Sequence, residues 1–175
     1  SMLAMVYREW SLGDCVKLRH SRRVAEIQGV IGRRMRSAVD LDKGEGVSIT
    51  VDCDVLQGDG GTRTASVTGG FVALVLAFRK LIEKGTIQEM PVSTFVSGIS
   101  AGVVGGVPML DLQYSEDSRA DVDLNCIMDG NGNIIELQGT GEGRSFTLSE
   151  QQELVRLCAK GIRELMEKQR EILQR

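Results

Sequence analysis

From Ala65 to Ile82 the chain is apolar on nearly every side, broken only by Ser66, Thr68, Arg79 and Lys80. A helix apolar all round has to be enclosed, so whatever fold this chain adopts must cover that segment on more than one side. Gly85 is the predicted stop, because glycine takes the left-handed conformation that closes a helix at no steric cost. Gly69 and Gly70 inside the segment each cost about 1 kcal/mol relative to alanine. Their expected return is close approach of another element. The longest purely apolar run, Phe71 to Phe78, is too short for a bilayer, and no signal peptide is recognised at the first residue.

The segment before it alternates strictly. Val47, Ile49, Val51, Cys53 and Val55 point one way, and Ser48, Thr50, Asp52 and Asp54 the other, which predicts a strand with one face on the core. Upstream, residues 4–22 show no clear period and read as a loop or loose arm. From Val24, the residues Val24, Ile27, Val30, Ile31, Met35 and Val39 follow one helix face, leaving Arg23, Arg33, Arg34 and Arg36 outside the stripe. Residues 92–113 read as two strands turning at Gly105-Gly106. Residues 121–128 and 133–138 read as a second hairpin around Asp129. Ser149 and Gln152 have capping-box spacing. They would open a last helix buried along Leu154, Cys158, Ile162, Leu165 and Ile172. The order helix, strand, helix, strand pairs, helix predicts an α+β fold.

Composition narrows the chemistry. Aromatics are 4% of the 175 residues, so the core must be aliphatic. The single histidine, His20, disfavours histidine-based catalysis. Cys15, Cys53, Cys126 and Cys158 are scattered without a CxxC pair, which argues against a zinc site or disulfide scaffold and suits a reducing cytoplasm. The net charge of −3 conceals an asymmetry: residues 1–36 carry eight basic and three acidic side chains, +5, leaving −8 elsewhere. A basic arm on an acidic body suits a polyanion or a charged oligomer contact, although on composition alone a solvated basic helix face is the better reading.

Three groups of residues carry possible chemistry. Gly58-Asp-Gly-Gly-Thr-Arg63 joins the strand to the apolar helix. Glycines let backbone approach a ligand, a helix start offers unpaired N–H groups, and Arg63 can grip an oxyanion with two prongs. The spacing is neither a Walker loop nor GxGxxG, and a tight turn with Arg63 in solvent remains the plain reading. Asp111, Glu116, Asp117, Asp121 and Asp123 form an acidic group. Alternation puts Asp121, Asp123 and Asn125 on one strand face, where a carboxylate pair would suit Mg²⁺ or share a proton. Arg119 would neutralise them in the structural alternative. Arg23 stands at the start of the first helix. Taken together, an anion clamp and a carboxylate pair meet the needs of phosphoryl chemistry at a phosphodiester.

At these residues the sequence resembles the ribonuclease PH family of phosphorolytic exoribonucleases. Arg23-Val-Ala-Glu-Ile-Gln-Gly-Val-Ile-Gly-Arg33 is similar to the family's R-T-x-E-I-Q-R-L-I-G-R. Residues 52–64 are close to DCDVLQADGGTRT, residues 111–125 carry DLxYxEDSxAxxDxN, and residues 136–143 match E-V-Q-G-T-A-E-G. The resemblance covers about residues 23–175. It implies the ribosomal protein S5 domain 2-like fold, here N-terminally truncated: residues 23–175 are the C-terminal portion of the family domain and residues 1–22 a divergent basic arm.

By position, the resemblance implies that Arg23, Gly61, Thr62 and Arg63 bind phosphate and that Asp117 and Asp123 serve catalysis and hold the metal. It implies RNA contacts in the arm, where Arg8, Arg19 and Arg22 are the candidates and Lys17 adds to the basic charge, although Met5, Trp10 and Gly13 stand where the family has arginines. The implied activity is phosphate-dependent 3′-to-5′ trimming of RNA, such as tRNA precursors, with Mg²⁺ as cofactor and inorganic phosphate as co-substrate, in a ring built as a trimer of dimers. The rival within the family is a non-catalytic or inactive ring subunit of an exosome-like assembly. Its expected mark would be loss of Thr62-Arg63 or of Asp117 and Asp123. A water-using phosphodiesterase lacks a third metal-ligand cluster. Polynucleotide phosphorylase would need further RNA-binding domains.

Overall fold

The computed structural model describes residues 2–7, 32–40, 42–44, 47 and 49–174. The readings at Arg8, Arg19, Arg22 and Arg23 lie outside them. Strand β1 (Met2–Tyr7) pairs antiparallel with β2 (Thr50–Val55). Residues 4–7 are therefore strand rather than loop. The apolar run at 2–7 has no alternation to signal a strand, and its pairing comes from the open edge of β2. Helix α1 (Thr62–Glu83) follows the glycine turn. Then come β3 (Val96–Val104), β4 (Val107–Leu110), the one-turn helix α2 (Tyr114–Asp117), β5 (Val122–Asp129), β6 (Ile134–Gly141) and helix α3 (Leu148–Leu173). Strands β4-β3-β5-β6 form one antiparallel sheet in that order.

The two faces of this sheet differ in chemistry. On one side Ile99, Ala101, Val103, Val122, Leu124, Cys126 and Met128 pack with Leu154, Cys158, Ile162 and Met166 of α3. The other side carries Gly98, Ser100 and Gly102, registered against Ile127, Asn125 and Asp123. Beyond them in β6 stand Glu136, Gln138 and Thr140. Helix α1 lies on this second side and is covered in turn by β1 and β2. Val67, Phe71, Leu74, Val75, Phe78 and Leu81 fill the space between, so the all-round apolarity has its enclosure. By length and hydropathy alone the 22-residue helix would qualify as a membrane span, at a mean of 1.6. Its packing between two sheets makes it a core helix.

A side chain at Gly70 would meet Met35 Cε at 2.6 Å and Val51 Cγ1 at 3.3 Å. Close approach of β2 and the 32–35 helical turn is thus why glycine stands there. Gly85, at φ 68°, closes α1 in a Schellman motif: its N–H donates to Ile82 O at 2.8 Å, and Thr86 N–H to Leu81 O at 2.9 Å. Gly105 and Gly106 both have positive φ, as a two-residue primed hairpin turn demands. In the second hairpin Asp129 Oδ1 accepts from the N–H groups of Asn131 and Asn133, both at 2.9 Å.

Four expectations shift. The cap of α3 is Thr147 with Glu150, not Ser149 with Gln152: Glu150 Oε2 accepts from Thr147 N–H at 2.8 Å, and Thr147 Oγ1 from Glu150 N–H at 3.2 Å. Glutamate brings a charge that the helix N-terminus favours, and Arg144 clamps it, holding its carboxyl down to about 2. Thr147→Ala is expected to cost about 1 kcal/mol, read as a lower urea midpoint with an unchanged slope. The buried stripe of α3 ends on Met166, Gln169 and Leu173, while Ile172 is exposed. The Gln169 amide donates to Thr68 O and Val96 O, both at 2.9 Å, tying α3 to α1 and β3. Arg34 is buried rather than solvent-facing, in an ion pair with Glu136 of β6. Val55 is exposed, because β2 has passed the end of the core by then.

Candidate active site

The N-terminus of α1, the polar face of β3-β5-β6 and the short helix α2 meet around a cleft of about 360 Å³. Gly61, Thr62 and Arg63 form one part of its lining, Asp117 and Asp123 another, with Ser100, Asn125, Gln138, Thr140 and Glu142 between. Five of the residues singled out from the sequence thus share one cavity. Arg23 lies outside the described residues.

The glycine turn is shaped for backbone approach. Gly61 sits at the N-cap of α1 with φ 67° and no side chain capping the helix. Its carbonyl accepts from Ala65 N–H at 3.0 Å and Thr64 Oγ1 at 2.9 Å. The first N–H groups of an α-helix have no partner within it, and here they border the cleft. A side chain at Gly60 would fall 2.0 Å from Leu112 O, so only glycine lets the turn lie against the end of β4. Asp59 ties the turn to α2: its Oδ1 accepts from Gly60 N–H and Tyr114 N–H. Those bonds hold its carboxyl below the usual range, the Tyr114 N–H chiefly. The anion-binding turn and the helix carrying Asp117 are therefore anchored to each other.

The carboxylates divide by location. Asp123 points from β5 into the cleft, where burial, then the Asp117 charge and, more weakly, Glu142 push its carboxyl above the usual range, against a hydrogen bond from Asn125 Nδ2 at 3.0 Å and the charge of Arg63. Asp121 is not part of the lining; its main chain pairs with Val103, Glu142 and Gly143. Asp111 takes the left-handed conformation at φ 56° outside the cleft, and Glu116 completes the cap of α2 by accepting from Gln113 N–H. Arg119 donates to Ser115 O at 2.8 Å. The cation that acts on Asp123 is Arg63 instead, whose Nη1 donates to Gln138 Oε1 at 2.8 Å.

Ser100, Gln138, Thr140 and Glu142 were missed because their place depends on strand register. Once β3, β5 and β6 pair as they do, alternation brings Ser100, Asn125 and Gln138 into one row, with Gly102, Asp123 and Thr140 beside it. Carboxylate oxygens from Asp117 and Asp123 share the cleft, a donor type that suits a hard cation. Among the described residues no cluster of three metal-ligating side chains occurs. Mg²⁺ usually takes one or two carboxylates and completes its shell with water and phosphate oxygens.

Comparison with known proteins gives a consistent set of relatives. The profile of the 3′ exoribonuclease family, domain 1, matches residues 7–80, and that of its domain 2 residues 94–160. A protein named Ribonuclease PH from Syntrophomonas wolfei is 53% identical over 153 residues, 87% of this chain and 64% of that protein. Others of that name, from Solibacter usitatus and Bacillus subtilis, are each 47% identical over 99% of this chain, which covers 73% and 71% of their lengths. The chain thus spans a little under two thirds to almost three quarters of these relatives. Among solved structures, rice Rrp46 superposes with a TM-score of 0.77 at 16% identity, over 99% of this chain and 84% of its own. The Archaeoglobus fulgidus exosome with RNA bound to the active site gives 0.68 at 20% identity, over 96% and 77%. At those identities the likeness is one of fold.

Proposed function

The chain belongs to the ribonuclease PH family of 3′ exoribonucleases, and from that premise we propose that it is a phosphate-dependent 3′-to-5′ exoribonuclease that trims RNA 3′ ends, such as those of tRNA precursors, to nucleoside diphosphates. The carrying observation is the juxtaposition in one cleft of an uncapped helix N-terminus bearing Thr62 and Arg63 with the carboxylates of Asp117 and Asp123.

Inorganic phosphate binds at the N-terminus of α1, where the first N–H groups, the Thr62 hydroxyl and the Arg63 guanidinium gather its charge, with Arg23 as a further cation. One phosphate oxygen attacks the phosphorus of the last phosphodiester. The bond from that phosphorus to the preceding 3′ oxygen breaks, a nucleoside diphosphate leaves, and the shortened RNA takes a proton on its new 3′ hydroxyl. Asp123 suits the donor's role, because burial and neighbouring carboxylates favour its protonated form. In the alternative arrangement Asp117 and an ionised Asp123 would hold Mg²⁺, which when bound supplies charge neutralisation at the oxygens that gain charge, in place of the proton. No histidine base is needed, because phosphate is itself the nucleophile.

The rival, a non-catalytic ring subunit, is not better supported, since Thr62, Arg63, Asp117 and Asp123 are all present and share the cleft. RNA binding through Arg8, Arg19 and Arg22, a trimer-of-dimers ring and a cytoplasmic setting complete the proposal. Light scattering checks the ring: a hexamer is expected, and a stable monomer would contradict it. For the reaction, a 3′-tailed RNA should shorten only when phosphate and Mg²⁺ are both supplied. Equal shortening in phosphate-free buffer would end the phosphorolytic reading.

A further inference from the structure

Among buried side chains in the cleft, Ser100 is the one whose chemistry is incomplete. The residue is 3% exposed, and its Oγ makes no hydrogen bond among the described residues. Buried hydroxyls are ordinarily satisfied, and one left alone points to a partner still to come. The neighbours explain why nothing among the described residues serves. Gly98 and Gly102 flank Ser100 on the same face of β3, and neither has a side chain to offer. A Cβ at Gly98 would press on Thr64 and Ile127 at 3.1–3.3 Å, and one at Gly102 is excluded because it would lie 2.5 Å from Val122 O. Across the strand pair Asn125 has turned its amide to Asp123. On the helix side Ser100 Oγ lies 2.8 Å from where a Cβ of Gly61 would stand. That glycine is the N-cap of α1.

The buried hydroxyl therefore sits against the uncapped helix start, and Ser100 lines the same cleft as Thr62, Arg63 and Asp123. Ordered hydroxyl and N–H donors around one point form a receptor for a tetrahedral oxyanion. We infer that Ser100 is a further ligand of the bound phosphate, donating its hydroxyl hydrogen to a phosphate oxygen held at the N-terminus of α1. The inference rests on the phosphate site of the preceding section and adds a donor from the sheet to those supplied by the helix. It also gives a reason for glycine at position 61 beyond its backbone angle, since any side chain there would stand between the hydroxyl and the anion.

The test is phosphate binding by calorimetry without RNA, paired with phosphorolysis kinetics, on the unaltered chain and on Ser100→Ala. One hydrogen bond to a charged group corresponds to a loss of about 10- to 100-fold in phosphate affinity. The KM for phosphate should rise by a similar factor, with the KM for RNA unmoved and kcat at saturating phosphate within a few-fold. The unloaded variant should melt no lower than the parent, because the hydroxyl it lacks had no partner. Ser97→Ala is the contrast. Ser97, three residues earlier in β3, is buried with its Oγ bonded to Thr68 Oγ1 at 3.0 Å, so its loss should lower the melting temperature and leave phosphate affinity alone. Unchanged phosphate affinity in Ser100→Ala overturns the inference, as does a variant that melts several degrees lower without ligand, or a parent chain that binds no phosphate. Ser100-dependent phosphate binding by a chain that shortens RNA without consuming phosphate supports the inference and defeats the phosphorolytic reading, so the two fail separately.

Discussion

Replacing Arg63 with alanine should leave a folded protein that no longer uses phosphate efficiently. Arg63 lies in the first turn of α1, with its guanidinium held by Gln138 across the cleft. It contributes nothing to the buried core, and substitutions of that kind usually stay within about 0.5 kcal/mol in stability. Its removal also takes away one of the like charges that, after burial, hold the buried Arg34 guanidinium below its ordinary range. The functional loss is of another size. A charge-assisted, two-pronged contact to an anion contributes about 1.5–3 kcal/mol. A donor aimed at charge that grows in the transition state is worth about 10²–10³-fold in rate. The expected result is a drop of at least about 10²-fold in kcat/KM for phosphate, with the melting curve little changed. Arg63→Lys should recover only part of it, since an ammonium cannot reproduce the planar fork. A fully active alanine variant would remove the anion clamp from the account.

Asp123→Asn is expected to separate stability from activity in the opposite sense. The native carboxyl is raised by burial first, then by the Asp117 and Glu142 charges, more than Asn125 and Arg63 lower it. A carboxyl with a raised native pKa binds its proton more tightly folded than unfolded. Stability is therefore highest where the group is protonated in both states. It is lost as pH climbs from the ordinary carboxylate range, about 4, through the raised native value. Above the ordinary carboxylate range the raised carboxyl works against the fold, and a neutral asparagine relieves it. The variant should melt above the parent at pH 7, and the gain should fade as pH drops towards 4. Activity should fall by about 10²–10⁴-fold, the usual range for a lost acid or base at the reacting centre. Thermal scans across pH and single-turnover kinetics read the two halves. Retained activity would remove Asp123 from the chemistry.

Much of this architecture was legible because local rules and tertiary demands agreed. The alternation at Val122–Cys126 gave β5 its two faces, the doubled glycine at 105–106 gave the hairpin, and the all-round apolarity of α1 required the enclosure that two sheets provide. The glycine turn and the carboxylates were recognisable by type, and the fold supplies the reason they meet: β5 delivers Asp123 beside the helix start, while Asp59 bolts α2 to the turn. What escaped depends on register and long-range contact. Ser100 and Gln138 look like any strand polar residues until Asn125 is seen to lie between them. Arg34 reads as a surface arginine until Glu136 arrives from 102 positions away. The choice of Thr147 over Ser149 as cap turned on which glutamate or glutamine carried charge and on Arg144, and neither is a matter of spacing.

The central claim is that phosphate, not water, cleaves the RNA. Supplying isotopically labelled phosphate with a 3′-tailed RNA and Mg²⁺, and resolving the released nucleotides, tests it most directly. The account predicts that the label appears in the terminal phosphate of nucleoside diphosphates, one for each nucleotide removed. Unlabelled nucleoside monophosphates, released at the same rate without phosphate, would contradict it.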